Sequence, residues 1–339
     1  MTGMRLGPGL AGPLAIMLLV GGGLAGCGGG LSLSPGTEPA PRTSSAAPPV
    51  TSPAPGSPSG ASSVPASGSA SASPSPSVSP SGPRSGPGGR GRGGNPFADR
   101  SLRRYLAGRT GLITAAVYDA RARRTWVLHP GLHEYTASIV KVQIMGTALS
   151  QAEASGRPLP PAQAALMGPM IESSDNDAAT TLLADVGGPS ALARFDKAAG
   201  LTQTQPSTLA LIPGTNLPGW GLTLTTALDE VVLVARFAYP GSVLNDASRE
   251  YGLSLMEHIE AGQDWGVSGG VPAGTTIALK NGWLPVGTSG WQVDSIGWVS
   301  GHGRDYVLAV LASGNPTEEY GIDTIEAIAR TVYRSRSGG

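Results

Sequence analysis

Residues 28 to 95 limit what this chain can fold into, because they cannot contribute to any core. The stretch is built of Pro, Ser, Gly and Ala, as in "SASASPSPSVSPSGP", with almost no large apolar side chain. Such a segment buries too little surface to offset the entropy of ordering its backbone, so it is expected to stay disordered. As a flexible coil it would reach roughly 45 Å, and about 200 Å in extended polyproline form, which suits a tether. The folded unit is therefore expected from 96 to 337, and about 240 residues are ample for one sizeable core.

Residues 1–27 read as an export leader. Met1 to Arg5 brings one positive charge, an apolar run through Ile16, Met17, Leu18, Leu19 and Val20 follows, and "GGGLAGC" closes it. The run is too short and too glycine-rich for a stable membrane span. Leu24 to Cys27 resembles the bacterial lipobox, which implies a lipidated Cys27 as the mature N-terminus. Cys27 is the only cysteine, so no disulfide within the chain can support the fold. The expected location is the cell envelope, lipid-anchored to the outer face of the cytoplasmic membrane. From residue 96 onward there are 18 basic and 22 acidic residues, a balance that gives no reason to expect nucleic acid as a partner.

Within 96–337, Leu112 to Tyr118 and Thr125 to Leu128 read as a β-hairpin. "SIVKVQIMGTALSQAEASG" reads as a buried helix closed by Gly156. Two further helical pieces flank "SSDND", and Thr226 with Asp229 opens another at "TTALDEVVLVARFA". "TTIALKNGW", "WQVDSIGWVS" and "DYVLAVLAS" read as three antiparallel strands. A last helix follows, with Asn315 as cap, Pro316 at its first position, and Ile322, Ile325, Ala329 and Val332 on its inner face. Strands, helices, strands and a final helix predict an α+β fold, with one antiparallel sheet formed by both chain ends and a helical subdomain inserted.

The chain holds only three lysines, Lys141, Lys197 and Lys280. Lys141 lies three residues after Ser138, on one face of the buried helix and about one turn away. Flanked by Val140, Val142 and Ile144, its amine would be desolvated, which lowers its pKa and frees it to take a proton from the serine hydroxyl. Alone, a Ser-x-x-Lys pair is a weak signal. Ser174, Asp175 and Asn176 in "SSDND" and Lys280, Asn281 and Gly282 in "LKNGW" add two more elements in order. The trio S-x-x-K, S-D-N and K-[TS]-G is the signature of class A β-lactamases and penicillin-binding proteins. The chain resembles that superfamily, and class A enzymes in particular, from about residue 100 to 335.

The resemblance implies a serine hydrolase that acts on a β-lactam or a related amide or ester through an acyl-Ser138 intermediate. Lys141 would accept the proton of Ser138, and Ser174 would relay one to the leaving group. Asn176, Lys280, Asn281 and Gly282 would bind substrate, with Lys280 fixing a carboxylate. The backbone amides of Ser138 and Trp283 would form the oxyanion hole. No cofactor is implied, and the expected partners are a small β-lactam or peptidoglycan-related substrate and, through the anchor, the membrane; a monomer is expected. Asp175 is expected to hold its loop. A D,D-peptidase-like wall enzyme and a non-catalytic wall-binding lipoprotein are the alternatives.

Three features depart from the family pattern. Asn281 stands where Thr or Ser is usual. Ser138 and Ser174 are 36 residues apart, fewer than in a full class A enzyme, which predicts a trimmed, more open cleft. Class A enzymes also carry a deacylating glutamate after the S-D-N helix, whereas residues 197–228 contain no Asp or Glu. Gln203 and Gln205 cannot replace it as a base, and Glu172 reads better as a solvated or salt-bridged helix end. His129, His133, His258 and His302 show no metal-ligand spacing. Trp291 and Trp298 read as sheet packing, Lys197 as a surface charge and Arg304 as a turn residue.

Overall fold

A computed structural model of the chain describes residues 94–241 and 243–336. The leader, Cys27 and the tether as far as residue 93 lie outside the described residues. A 3-10 turn at Pro96–Ala98 leads into helix α1 (Arg100–Ala107) and the hairpin of β1 (Leu112–Asp119) and β2 (Arg124–Leu128). A short strand β3 (Glu134–Tyr135) and a 3-10 turn at Ala137–Ile139 open the helical region. It comprises α2 (Val140–Ala154), α3 (Pro161–Glu172), α4 (Asn176–Asp185) and α5 (Gly188–Ala199). A long loop ends in β4 (Leu224–Thr225), which pairs with β3, and α6 (Ala227–Ala238) and α7 (Asp246–Glu257) follow. The chain returns through β5 (Thr276–Pro285), β6 (Trp291–Gly301) and β7 (Arg304–Asn315) to α8 (Glu318–Ser335).

The five long strands form one antiparallel sheet in the order β2-β1-β7-β6-β5, so strands from early and late in the domain build it, and α2 to α7 lie between them in sequence. This is the α+β arrangement the sequence predicts. Both faces of the sheet are covered, which explains why β7 is apolar from Tyr306 to Ala312 rather than alternating. Its Tyr306, Leu308, Val310 and Ala312 pack with Ile325, Ile328, Ala329 and Val332 of α8. Its Val307, Ala309 and Leu311 face the helical region instead. Within that region α2 is buried from Val140 to Leu149, because α3, α4, α5, α6 and α7 all pack against it. Gly146 allows the closest of these contacts: a Cβ there would lie 2.4 Å from the Phe195 ring on α5.

The structure adds three helices to the sequence reading. α1 hides only Leu102, so its apolar stripe is too thin to read. α5 is framed by left-handed Gly187 and Gly200, with a proline in its first turn, and resembles a Gly-Pro loop by composition. α7 carries Gly252 mid-helix against the Phe237 ring. The start of α8 is corrected as well. Asn315 ends β7, donating through Nδ2 to the carbonyls of Trp291 and Ala312, and Thr317 is the cap, accepting from the Tyr320 amide. Ile322 is only half-buried, and Ile328 joins the inner face in its place.

Carboxyl groups are enclosed in the helical core. Burial pushes Glu230 up to about 8, with Asp196 and Asp229 nearby adding to the rise. It likewise pushes Asp196 up to about 7, and holds Asp294 well above the usual carboxylate range. A carboxyl whose pKa is raised by folding supports stability below its unfolded value, and that support is lost as pH rises through the folded value. The melting temperature should therefore fall between about pH 5 and pH 8. Glu230→Gln should flatten that slope in thermal melts across pH; an unchanged slope would show that Glu230 is not the group titrating.

Candidate active site

Ser138 sits at the seam between sheet and helices. The 3-10 turn Ala137–Ile139 runs directly into α2, leaving Ser138 half-buried at the helix entrance and Lys141 one turn further on. Ala137 is held at φ 41° and Ser174, in the turn before α4, at φ 57°. Both lie in the left-handed region that side chains with a Cβ rarely adopt, and such strain persists only where the surroundings enforce it.

Lys141 is fully buried. Its Nζ lies 3.1 Å from Ser138 Oγ, 3.0 Å from Ser174 Oγ, 2.6 Å from the Ser174 carbonyl and 2.9 Å from Asn176 Oδ1. None of these partners is a carboxylate. Burial lowers the amine to about 7, against a smaller upward pull from the Asp175 charge. The carbonyl and the amide oxygen can only accept, so they take the two N–H groups of a neutral amine and leave its lone pair for a hydroxyl. On β5, Lys280 is also fully buried and donates to Ser174 Oγ at 3.0 Å and to the Asn281 carbonyl at 2.9 Å. Burial, then repulsion from Lys141, holds it well below the ordinary lysine range. Ser174 Oγ thus bridges two amines.

The structure brings Ser138, Lys141, Ser174, Asn176 and Lys280 together. Asp175 caps α4, accepting from the Ala178 amide at 2.7 Å. Gly282 meets the site through the space it leaves empty. A Cβ there would lie 2.8 Å from Ser138 N and 2.8 Å from the Thr136 carbonyl, so edge strand β5 can press against the nucleophile turn. Asn281 needs correction. Expected to hold substrate, it is buried on the opposite side of β5, where Nδ2 donates to the carbonyls of Gln263 and Trp265 at 2.8 and 2.9 Å. Successive strand residues point to opposite faces, so Lys280 and Asn281 cannot share the cleft in this register.

A cleft of about 260 Å³ opens beside Ser138, Ser174 and Asn176. Its walls include Ile212, Leu217, Pro218, Trp220, Leu284 and Trp291. Trp291, read as sheet packing, therefore also faces the site. Trp220 was not singled out in the sequence, where it carries no motif. Its Nε1 donates to Thr180 Oγ1 at 3.0 Å, and its ring centroid lies 5.0 Å from Lys141 Nζ. Among the described residues, no charged side chain lines the cleft, and Glu172 is not one of its walls. His133 is exposed beside the Gly131 carbonyl. Arg304 donates to the Tyr333 carbonyl and stacks on that ring at the β6–β7 turn. Among the described residues, no cluster of His, Cys, Asp or Glu is placed to hold a metal ion.

A family model described as the Beta-lactamase enzyme family matches residues 163–335, just over half the chain. The chain belongs to that family. The matched span takes in Ser174, Asn176 and Lys280, while Ser138 and Lys141 precede it. Solved structures of class A β-lactamases share the fold. The TLA-1 extended-spectrum β-lactamase is 19% identical, over 69% of this chain and 96% of its own, at a TM-score of 0.60. The class A enzyme of Mycobacterium abscessus is 22% identical over 69% and 97%, at 0.58. The last common ancestor of Gram-negative bacterial class A enzymes, GNCA4, is 20% identical over 69% and 97%, at 0.59. No curated protein matches the sequence.

Two predictions follow from the geometry of Lys141 and Gly282. If the neutral amine takes the proton of Ser138, the acylation rate should rise with pH through about 7 and then level. Lys141→Ala should lower it by about 10²- to 10⁴-fold; single-turnover acylation across pH measures both. Gly282→Ala should push β5 off the nucleophile turn, slowing acylation more than it lowers the melting temperature.

Proposed function

We propose that this β-lactamase-type serine hydrolase forms an acyl-Ser138 ester readily and releases it slowly. The observation that carries the reading is the Lys141 amine held between the Ser138 and Ser174 hydroxyls at 3.1 and 3.0 Å without a carboxylate partner. Ser138 Oγ attacks the carbonyl carbon of an amide or ester, and its proton passes to the lone pair of Lys141. The oxyanion is met by the backbone amides of Ser138 and Trp283. Trp283 shares strand parity with Asn281, whose carbonyl turns towards Lys280, so its amide is directed to the same open edge.

As the tetrahedral adduct collapses, the bond to the leaving nitrogen or oxygen breaks. Ser174 Oγ gives that atom a proton and is resupplied by Lys141. Asn176 is placed to touch the substrate amide. Acyl-Ser138 and a free amine or alcohol result. Hydrolysis of that ester needs a base to activate water, and the long loop offers Trp220 instead of a carboxylate.

We further read the chain as an exported lipoprotein, held to the outer face of the cytoplasmic membrane through Cys27. Intact-mass spectrometry of the domain after mixing with p-nitrophenyl acetate or a penicillin tests the chemistry. We expect one acyl adduct that persists from at least one of the two reagents and is absent in Ser138→Ala. No adduct from either reagent would overturn the assignment, and an adduct that vanishes within seconds would overturn slow release. In cells, Cys27→Ala should move the protein from the membrane to the soluble fraction on fractionation.

A further inference from the structure

The cleft differs from an anion-binding site in ways that bear on its substrate. The resemblance to class A enzymes leads one to expect a carboxylate held by Lys280 and by a donor at the next position. In this chain the next side chain, Asn281, is committed to two backbone carbonyls on the far side of β5. Lys280 is fully buried behind Ser174, with two of its donors already engaged. No side chain lining the cleft carries a charge. A substrate carboxylate entering here could reach the Lys280 amine only across Ser174, with no second donor from Asn281, so it would lose water for little direct pairing, which is a costly transfer.

The remaining surface is apolar. Residues 209–219 fold back on themselves as a small hairpin, with Ile212 N donating to the Leu217 carbonyl at 2.8 Å and Gly219 N to the Ala210 carbonyl at 2.9 Å. Ile212, Leu217 and Pro218 of that hairpin form one wall of the cleft, opposite Leu284 and Trp291. The same hairpin leaves Leu209 and Leu211 48% and 54% exposed. These are two of only five large apolar side chains that the described residues leave exposed. The apolar wall that Ile212, Leu217 and Pro218 place in the same cleft as Ser138 marks a ligand-binding groove more often than idle surface.

We infer that the preferred substrate is an uncharged ester with an apolar acyl chain, which lies between the 209–219 hairpin and the Leu284–Trp291 wall while its carbonyl faces Ser138. The inference rests on the Ser138 acylation proposed above and deepens it by naming the substrate class. Ser138 Oγ forms the new ester bond to the acyl carbon. The bond from that carbon to the alcohol oxygen breaks, and the alcohol leaves with the proton delivered by Ser174.

The test compares kcat/KM, or the acylation rate where turnover is slow, across p-nitrophenyl acetate, butyrate and hexanoate, and for a carboxylate-bearing chromogenic cephalosporin. A fluorophosphonate and the acetate ester, each followed by intact mass, report separately on whether Ser138 is nucleophilic. Each added methylene buried in the groove should raise the rate roughly fourfold, up to the length the cleft accepts. The hexanoate should exceed the cephalosporin by about 100-fold or more, given the unpaired charge of the latter. Ile212→Ser with Leu217→Ser should flatten the chain-length dependence. A flat series in the wild type, or a cephalosporin that acylates as fast as the hexanoate, would overturn the inference while labelled Ser138 left the hydrolase reading intact. Absence of label from both the fluorophosphonate and the acetate would overturn the two together.

Discussion

A lysine amine buried without a carboxylate to neutralise it is the constraint on which the rest of the site depends. Lowering Lys141 from the ordinary lysine value to about 7 corresponds to on the order of 5 kcal/mol against charging. That cost is tolerable only because the neutral form is fully satisfied by two oxygens that accept and hydroxyls that can donate. The geometry needs α2 in the centre of the helical region, where packing on all sides excludes water from its first turn. It also needs the turn at Ser174 in a left-handed conformation, since that turn supplies both the carbonyl and the hydroxyl. The desolvated amine is thus the joint consequence of helix packing and a strained turn.

The sheet contributes through its edge. β5 is the last strand in the order and borders the nucleophile turn with Gly282. Its alternation sends Lys280 towards Ser174 and Asn281 towards the loop at Gln263 and Trp265. The same period that fixes the second amine behind the relay serine therefore removes the neighbouring side chain from the cleft. Once Asn281 is bound to two loop carbonyls it braces that loop against the strand. Its substitution for a hydroxyl residue thus changes what the site can hold as well as how it is supported.

The sheet and the central helix were legible because their signals are dense. β7 from Tyr306 to Ala312 is an unbroken apolar run, α2 is predominantly apolar over its buried length, and glycine turns mark the strand ends. The convergence of Ser138, Lys141, Ser174 and Lys280 was legible because short motifs kept their order along the chain. What escaped depended on tertiary context. α5 and α7 carry glycines that read as breaks but serve as a cap and a close contact. Asn315 and Pro316 look like a helix start, yet the amide of Asn315 is used to close the end of β7. The side to which Asn281 points follows from strand register, and Trp220 reaches Lys141 only because the long loop folds back over α4. Neither leaves a mark in the local sequence.

Trp220 joins the two halves of the proposed chemistry. An indole ring 5.0 Å from Lys141 Nζ takes space beside the amine that water or a carboxylate would otherwise fill. A carboxylate there would raise the lysine pKa by favouring its charged form, and it would also activate water for release of the acyl group. The ring supplies no base for that step, and since an aromatic face at this distance favours the charged amine, the lowered value of Lys141 comes from its burial as a whole. The same ring continues the uncharged wall formed by Pro218 and Leu217. The loop that sets this ring beside Lys141 also lines the proposed site for an apolar acyl group, so the proposed slow release and the proposed substrate class rest on the same segment.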